Sequence, residues 1–364
     1  MAHGENPPIN ITPGAIRFNT DSMKLEYFRI GMEGVGSGSY AGIGTLAAGE
    51  WVEIMTDTPD IQTGGTRAVF MGGQNEPSPN TTYNIMDYIQ VDTTGNAVDF
   101  GDMQAAELEG AALGGHLRGY YFGGDPAETG IETFVFSNVA SDGGSGDTTV
   151  YGNLTANSKT GCGTGDRTRG IAFLGADPSA QNRIDYFVLA STGSGVDFGN
   201  NDINGVANSA ACGSPTRGVI GGGSGATNAV AFVTISTLGN TADFGDLTDQ
   251  RFGLSAGSNA VRGLFAGGGA PSDGTDLIDY ITIASLGNAI DFGDLTRSNH
   301  YGAAATSSTR FVYAGGDDHP SGGNYSNIID YVQIMTTGDA RDFGDLTQFR
   351  RHVKGCSNGN GGVG

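Results

Sequence analysis

Lysine is almost missing from this chain: only Lys24, Lys159 and Lys354 occur in 364 residues, and charged side chains of all kinds make up 16%. With 39 acidic against 18 basic residues the formal charge is −21, which repels a phosphate backbone, whereas nucleic-acid binders present a basic face. No nucleic-acid partner is therefore expected. No run approaches the ~18 consecutive apolar residues of a membrane span, so no membrane insertion is expected. MAHGENPPIN at the start lacks the basic-then-apolar order of a secretion signal, which points to synthesis in a cytoplasm. Three cysteines, an odd number, argue against a disulfide framework, and Trp51 is the single tryptophan. Long helices are excluded as well, because glycine and β-branched residues interrupt every 3.6-residue pattern within three turns.

What is abundant is glycine, 64 residues, without the every-third-residue spacing of collagen. The 37% of hydrophobic residues suffices for a core. The chain also repeats itself. TRAVFMGG, LRGYYFGG, TRGIAFLGA, TRGVIGGG, VRGLFAGGG and TRFVYAGG follow one another, with arginines at 67, 118, 169, 217, 262 and 310. A second marker keeps step, typically Asp-Phe-Gly-Asp-Leu-Thr, centred on Phe100, Tyr151, Phe198, Phe244, Phe292 and Phe343. Between them runs a third, such as IDYITIA, which is most degenerate in the second copy.

Each copy reads as four short alternating strands, a to d, with a tight Gly-Asn-type turn between c and d and a longer, irregular b–c connection. Units of this size stack on neighbours to bury their faces, and radial stacking closes a ring without long exposed edges. The expected fold is all-β, a six-bladed β-propeller over residues 66–364. The first copy begins at strand b, and an extra strand a, within FRRHVKGCSNG, follows the last copy. Blade 1 is therefore expected to be completed by the C-terminal strand.

The Gly-Gly after strand b and the leading arginine resemble kelch-type repeats, although the usual blade tryptophan is missing and the marker phenylalanine takes its region. Residues 1–65 do not repeat. AIRFNT and KLEYF flank an Asp-Ser-Met turn and read as a β-hairpin module. Gly14, Ala15, Ile16, Arg17, Phe18, Asn19 and Thr20, then Leu25, Glu26, Trp51 and Ile54, resemble a short module of tailed-bacteriophage fibre and virion proteins. The Gly-rich propeller with its Ile-Asp-Tyr and Asp-Phe-Gly-Asp-Leu markers is also similar to proteins of marine tailed phages. This resemblance implies a virion structural protein made in the host cytoplasm, docked to other virion proteins through residues 1–65. It also implies a homo-oligomer, commonly a trimer in such fibres.

Asp-Phe-Gly suggests a kinase magnesium site, but a catalytic residue is needed once and this motif recurs around the chain, so it reads as architecture. The phenylalanine is expected to pack between blades, the glycine to permit close backbone approach, and the aspartates to cap or pair. The repeated arginines are expected to meet either marker carboxylates or backbone carbonyls of a neighbouring strand. Cys162, Cys212 and Cys356 read as buried thiols in the middle of strand a, aligned with Ala256 and Ala305. The five histidines show no ligand spacing, and the Asn200–Gly205 stretch lacks a glutamate at the twelfth position of a calcium loop, so neither metal nor cofactor is expected. No sialidase-type box is present, and the reading is non-enzymatic; its alternative is a polysaccharide-degrading propeller enzyme of a phage fibre. Positions that differ between copies are where specificity belongs, and the b–c loops differ most. Asn80, Tyr83, Asp125, Asp177, Asn228, Asp273, Asp317, His319 and Tyr325 are the candidate ligand residues there, suited to a host surface glycan.

Overall fold

The computed structural model describes residues 15–19, 24–30, 49–53, 66–75, 81–138, 146–202, 205–270, 273–318 and 324–362. Two compact units divide the chain, Met1–Pro59 and Asp60–Gly364. In the first, Ile16–Asn19 pairs antiparallel with Lys24–Ile30, which pairs in turn with Gly49–Glu53. The Asp21-Ser22-Met23 turn lies outside the described residues.

The second unit is a six-bladed β-propeller. Blade 1 takes strand a from Lys354–Ser357, then b, c and d from Arg67–Met71, Ile85–Gln90 and Val98–Asp102. Blade 2 runs Ala111–Gly114, Arg118–Phe122, Glu128–Val135 and Thr149–Ser158. Blade 3 runs Cys162–Gly165, Arg169–Phe173, Arg183–Val188 and Val196–Asn200. Blade 4 runs Ala210–Gly213, Arg217–Gly221, Thr227–Thr234 and Ala242–Arg251. Blade 5 runs Ser255–Ser258, Arg262–Ala266, Asp273–Thr282 and Ile290–Asn299. Blade 6 runs Ala303–Thr306, Arg310–Ala314, Ile328–Gln333 and Arg341–Asp345. The a strands neighbour one another in ring order, and Lys354–Ser357 lies between those of blades 6 and 2. A 3-10 turn at Asn360–Gly362 is the helical piece among the described residues.

Apolar burial explains why the blades need each other. Six clusters form the core, and each joins residues of two adjacent blades, as where Phe70 and Ile89 of blade 1 meet Val312 and Phe343 of blade 6. The core therefore lies in the junctions and exists only when neighbours are present. The marker phenylalanine supplies one ring to each junction it occupies, and Phe100, Phe198, Phe244, Phe292 and Phe343 are all buried. It does so through a β-bulge: Ile278 faces Gly293 but Asp279 faces Asp291, so Phe292 is the extra residue, and the shift recurs in every c–d pair. The marker aspartates behave differently from expectation. Asp99, Asp197, Asp243, Asp291 and Asp342 are exposed, and the capping acceptors come from the next blade's c–d turn, where Asn96, Asn240 and Asn288 accept the N–H of Asp345, Asn200 and Asp246. A short turn side chain reaches that N–H; a strand aspartate pointing outward does not.

Candidate functional site

Repeated polar residues are consumed by the junctions. The strand-b arginine of one blade donates to a carbonyl just past strand c of the next: Arg169 to Ile235 at 3.0 Å, Arg217 to Ile283 at 2.8 Å, Arg262 to Ile334 at 3.2 Å, Arg310 to Val91 at 3.1 Å, and Arg67 to Phe136. Each of these guanidinium groups also covers an aromatic ring of its own strand c, such as Arg262 over Tyr280 at 4.4 Å. Backbone carbonyls, not marker carboxylates, are thus the acceptors. In blade 2 the hydroxyls of Tyr120 and Tyr151 take the carbonyls of Leu189 and Val188. The buried aspartates Asp87, Asp185, Asp279 and Asp330 accept from Thr347, Thr155, Thr248 and Thr296 of the preceding blade. Arg350 and Arg251 reach Asp87 and Asp279 with side chains fully enclosed on both sides.

The variable b–c loops share one face with the d–a connections, because both leave the same end of an antiparallel blade. Their candidate residues scatter. Asp125 pairs with Lys159 at 3.1 Å. Asp317 is buried and pairs with Arg351 at 3.1 Å, and the same guanidinium lies 4.8 Å from the Tyr325 ring, so these two candidates do come together. Tyr83 is half-buried against Gly73 and Glu107 through backbone bonds. Asp177 is exposed, Asn228 is half-buried in strand c of blade 4, and Asp273 opens strand c of blade 5, each on its own blade. Asn80 and His319 lie outside the described residues.

A more coherent constellation lies in the d–a connections. Glu109, Thr160, Asn208, Gly253, Tyr301 and His352 occupy equivalent places two residues before strand a, and all have φ between 54° and 64°. Their backbones form a belt: Thr160 donates to Glu109, Asn208 to Thr160 at 2.9 Å, Gly253 to Asn208, Tyr301 to Gly253 and His352 to Tyr301, each of the last three at 2.8 Å. Five non-glycine residues in the left-handed region cost free energy, and such strain gathers where side chains must be aimed. The aimed side chains are chemically diverse. Tyr301 stacks on His352 at 4.3 Å and 30°, has His300 at 4.5 Å, and lies 6.2 Å from Phe252. Glu109 stands 3.8 Å from both Lys159 and the Nε2 of His352. Burial, with Lys354, Arg351 and His300 nearby, holds His352 well below the usual imidazole range, so it is neutral at pH 7.

This belt rims a narrow central channel of about 60 Å³ walled by the small residues of the a strands. At the far end Asn360 lines it and accepts from the Thr306 hydroxyl at 3.1 Å, while Gly361 comes close to the Gly213 carbonyl. The channel is a well, with the Asn360–Gly362 turn at its floor. The first residues of the a strands sit just inside the rim: Lys354, Ala111, Cys162, Ala210, Ser255 and Ala303. Cys162 thus aligns with Ser255 and Ala303, whereas Cys212 and Cys356 align with Ala305, two positions further on; all three are buried free thiols. Burial pushes the Cys162 thiol up, so it stays protonated. Among the described residues no three His, Cys, Asp or Glu side chains gather as a metal site.

No residue type marks the rim in the sequence, because its members share none. A positional signal existed: they stand nine residues after the marker aromatic in five copies and ten in the third. Compared with known proteins, the chain matches no family model and no curated sequence.

Proposed function

We propose that this chain is a non-enzymatic virion structural protein of a tailed bacteriophage, of the fibre or decoration type. Its N-terminal module docks to the particle and its propeller is displayed outward, taking a host-surface glycan at the channel mouth. One observation carries the reading: the arginines of five copies and the strand-c aspartates of four are spent on holding blades together, and residues that differ from copy to copy converge on one rim. That division suits a rigid scaffold whose specificity is confined to loops. The phage assignment is supported by the Arg-Phe-Asn-Thr module, Arg17 to Thr20, ahead of the propeller. Mass spectrometry of purified particles tests it; the chain is expected among the virion proteins, and its absence would sink the proposal.

A glycan-cleaving activity is the second reading, favoured by Glu107. Burial first, then Glu128, Glu132 and Asp125, push its carboxyl up to about 7, the kind of protonated acid beside carboxylates that glycosidases use. Sugar release from host envelope polysaccharide by the purified protein would establish that reading in place of the first.

A further inference from the structure

We propose that the channel mouth receives the carboxylate of an acidic sugar, with the Lys354 ammonium as its counter-ion. The inference rests on the glycan-binding part of the proposed function and narrows it to one ligand class.

Five of the six residues at the first level inside the rim are alanine, cysteine or serine, because the a strands converge there. The sixth is lysine, in a chain that has three. Its ammonium forms no hydrogen bond or ion pair among the described residues. Two further cations near the mouth are occupied: Lys159 has Asp125 at 3.1 Å and Arg351 has Asp317 at 3.1 Å. Burial lowers the Lys354 pKa and Glu109 acts on it at a distance, while its further neighbours, the Cys162 thiol and the His352 imidazole, are neutral at pH 7. Lys354 is half-buried and lines the well without a bonded protein partner, which leaves its cation open to an anion entering the mouth.

Size and surroundings choose the ligand. The well beneath the rim holds about 60 Å³, room for one small group and not for a ring. Above it Tyr301, half-buried beside His300 and His352, and the half-buried Phe252 bring partly exposed aromatic rings of the kind against which a pyranose rests. Beside Phe252 a shallow concavity of about 400 Å³ is bounded by Asn208, Ser224, Gly225 and Ala226, whose amide and hydroxyl groups suit sugar hydroxyls. A carboxylate on a sugar ring matches both levels at once: the charge enters the well and the ring stays on the rim.

The test is calorimetric titration of the full chain with D-galacturonate, D-galactose and acetate, for the wild type and Lys354→Ala. Alanine already fills this place in blades 2, 4 and 6, so the variant is expected to fold, which circular dichroism checks. Galacturonate is expected to bind the wild type at least tenfold more tightly than either galactose or acetate, and to lose that advantage in Lys354→Ala. Equal galacturonate affinity in the two proteins, or no preference for it over galactose, would overturn the proposal. Acetate binding as tightly as galacturonate would also overturn it, since the ring would then contribute nothing. Any of these failures in a protein that mass spectrometry finds in the particle leaves the virion role standing.

Discussion

At the seventh position after the marker aromatic, Arg251 and Arg350 of blades 4 and 6 reach into the next blade and meet Asp279 and Asp87. The first copy puts Glu107 there, and Glu132 takes the place of the aspartate in blade 2, so an attractive pair becomes a carboxyl among carboxylates. Its Oε2 is enclosed and unbonded. Because the fold favours the protonated form, the unfolded chain ionises first, near 4.5, and the folded one only near 7. The part of the stability that depends on Glu107 is therefore whole below about pH 4.5, falls as pH rises to 7, and stays reduced above. At 1.36 kcal/mol per unit, cut by about half because the group is part-exposed, Glu107→Gln is expected to stabilise the protein by about 1–2 kcal/mol at pH 8 and to do nothing at pH 4. Urea unfolding midpoints at the two pH values measure this, and an equal effect at both would refute the assignment.

The bulge that turns the marker phenylalanine inward also sets the requirement for glycine. Gly245 has φ +145°, and a Cβ there would sit 2.5 Å from the carbonyl oxygen of Gly287 in the next blade's c–d turn. Gly287 itself has φ +147° with open space around it. The two share a φ that L side chains rarely adopt and differ in the neighbour, which separates conformational strain from close approach. Gly287→Ala is expected to cost about 1–3 kcal/mol, the strain alone. Gly245→Ala adds a backbone clash that no side-chain movement relieves, and its cost is expected to reach roughly 4 kcal/mol or more. Thermal or chemical denaturation of the pair gives the comparison; equal losses would mean that the blade junction yields easily.

Closure of the ring joins residues almost three hundred positions apart. Cys356 pairs with Val69, Arg67 receives the Asn358 side chain at 2.8 Å on its N–H, and Arg350 binds Asp87 at 2.8 Å. Deleting residues 353–364 removes strand a of blade 1, the Val353 and Cys356 contributions to two junctions, Lys354 and the well floor. Ladder bonds at ~0.5–1.5 kcal/mol each plus lost apolar burial approach the ~5–15 kcal/mol margin of a whole domain. The truncated protein is expected to aggregate or to melt far below the full chain without cooperativity. A near-native midpoint in a thermal melt would show that the blades stand without closure.

Strand order, blade number and the return of the C-terminal strand were legible in the sequence, because each depends on local alternation and on a repeat that counts its own copies. Burial of the marker phenylalanine and close approach at its glycine followed from their recurrence. For the arginines the sequence left marker carboxylates and neighbouring carbonyls both open and could not choose the carbonyl, since Arg262 and its acceptor Ile334 stand 72 positions apart and belong to different blades. The site was the least legible part. Attention to variable loops found Asp125, Asp317 and Tyr325 at its margin, but the rim of Glu109, Thr160, Asn208, Tyr301 and His352 is defined by a left-handed backbone that only glycine advertises in a sequence, and only Gly253 does so here. Lys354 reads alone as one more basic residue in a terminal strand. Only the ring, by lining up six strand starts, makes it the one long charged side chain among five small ones.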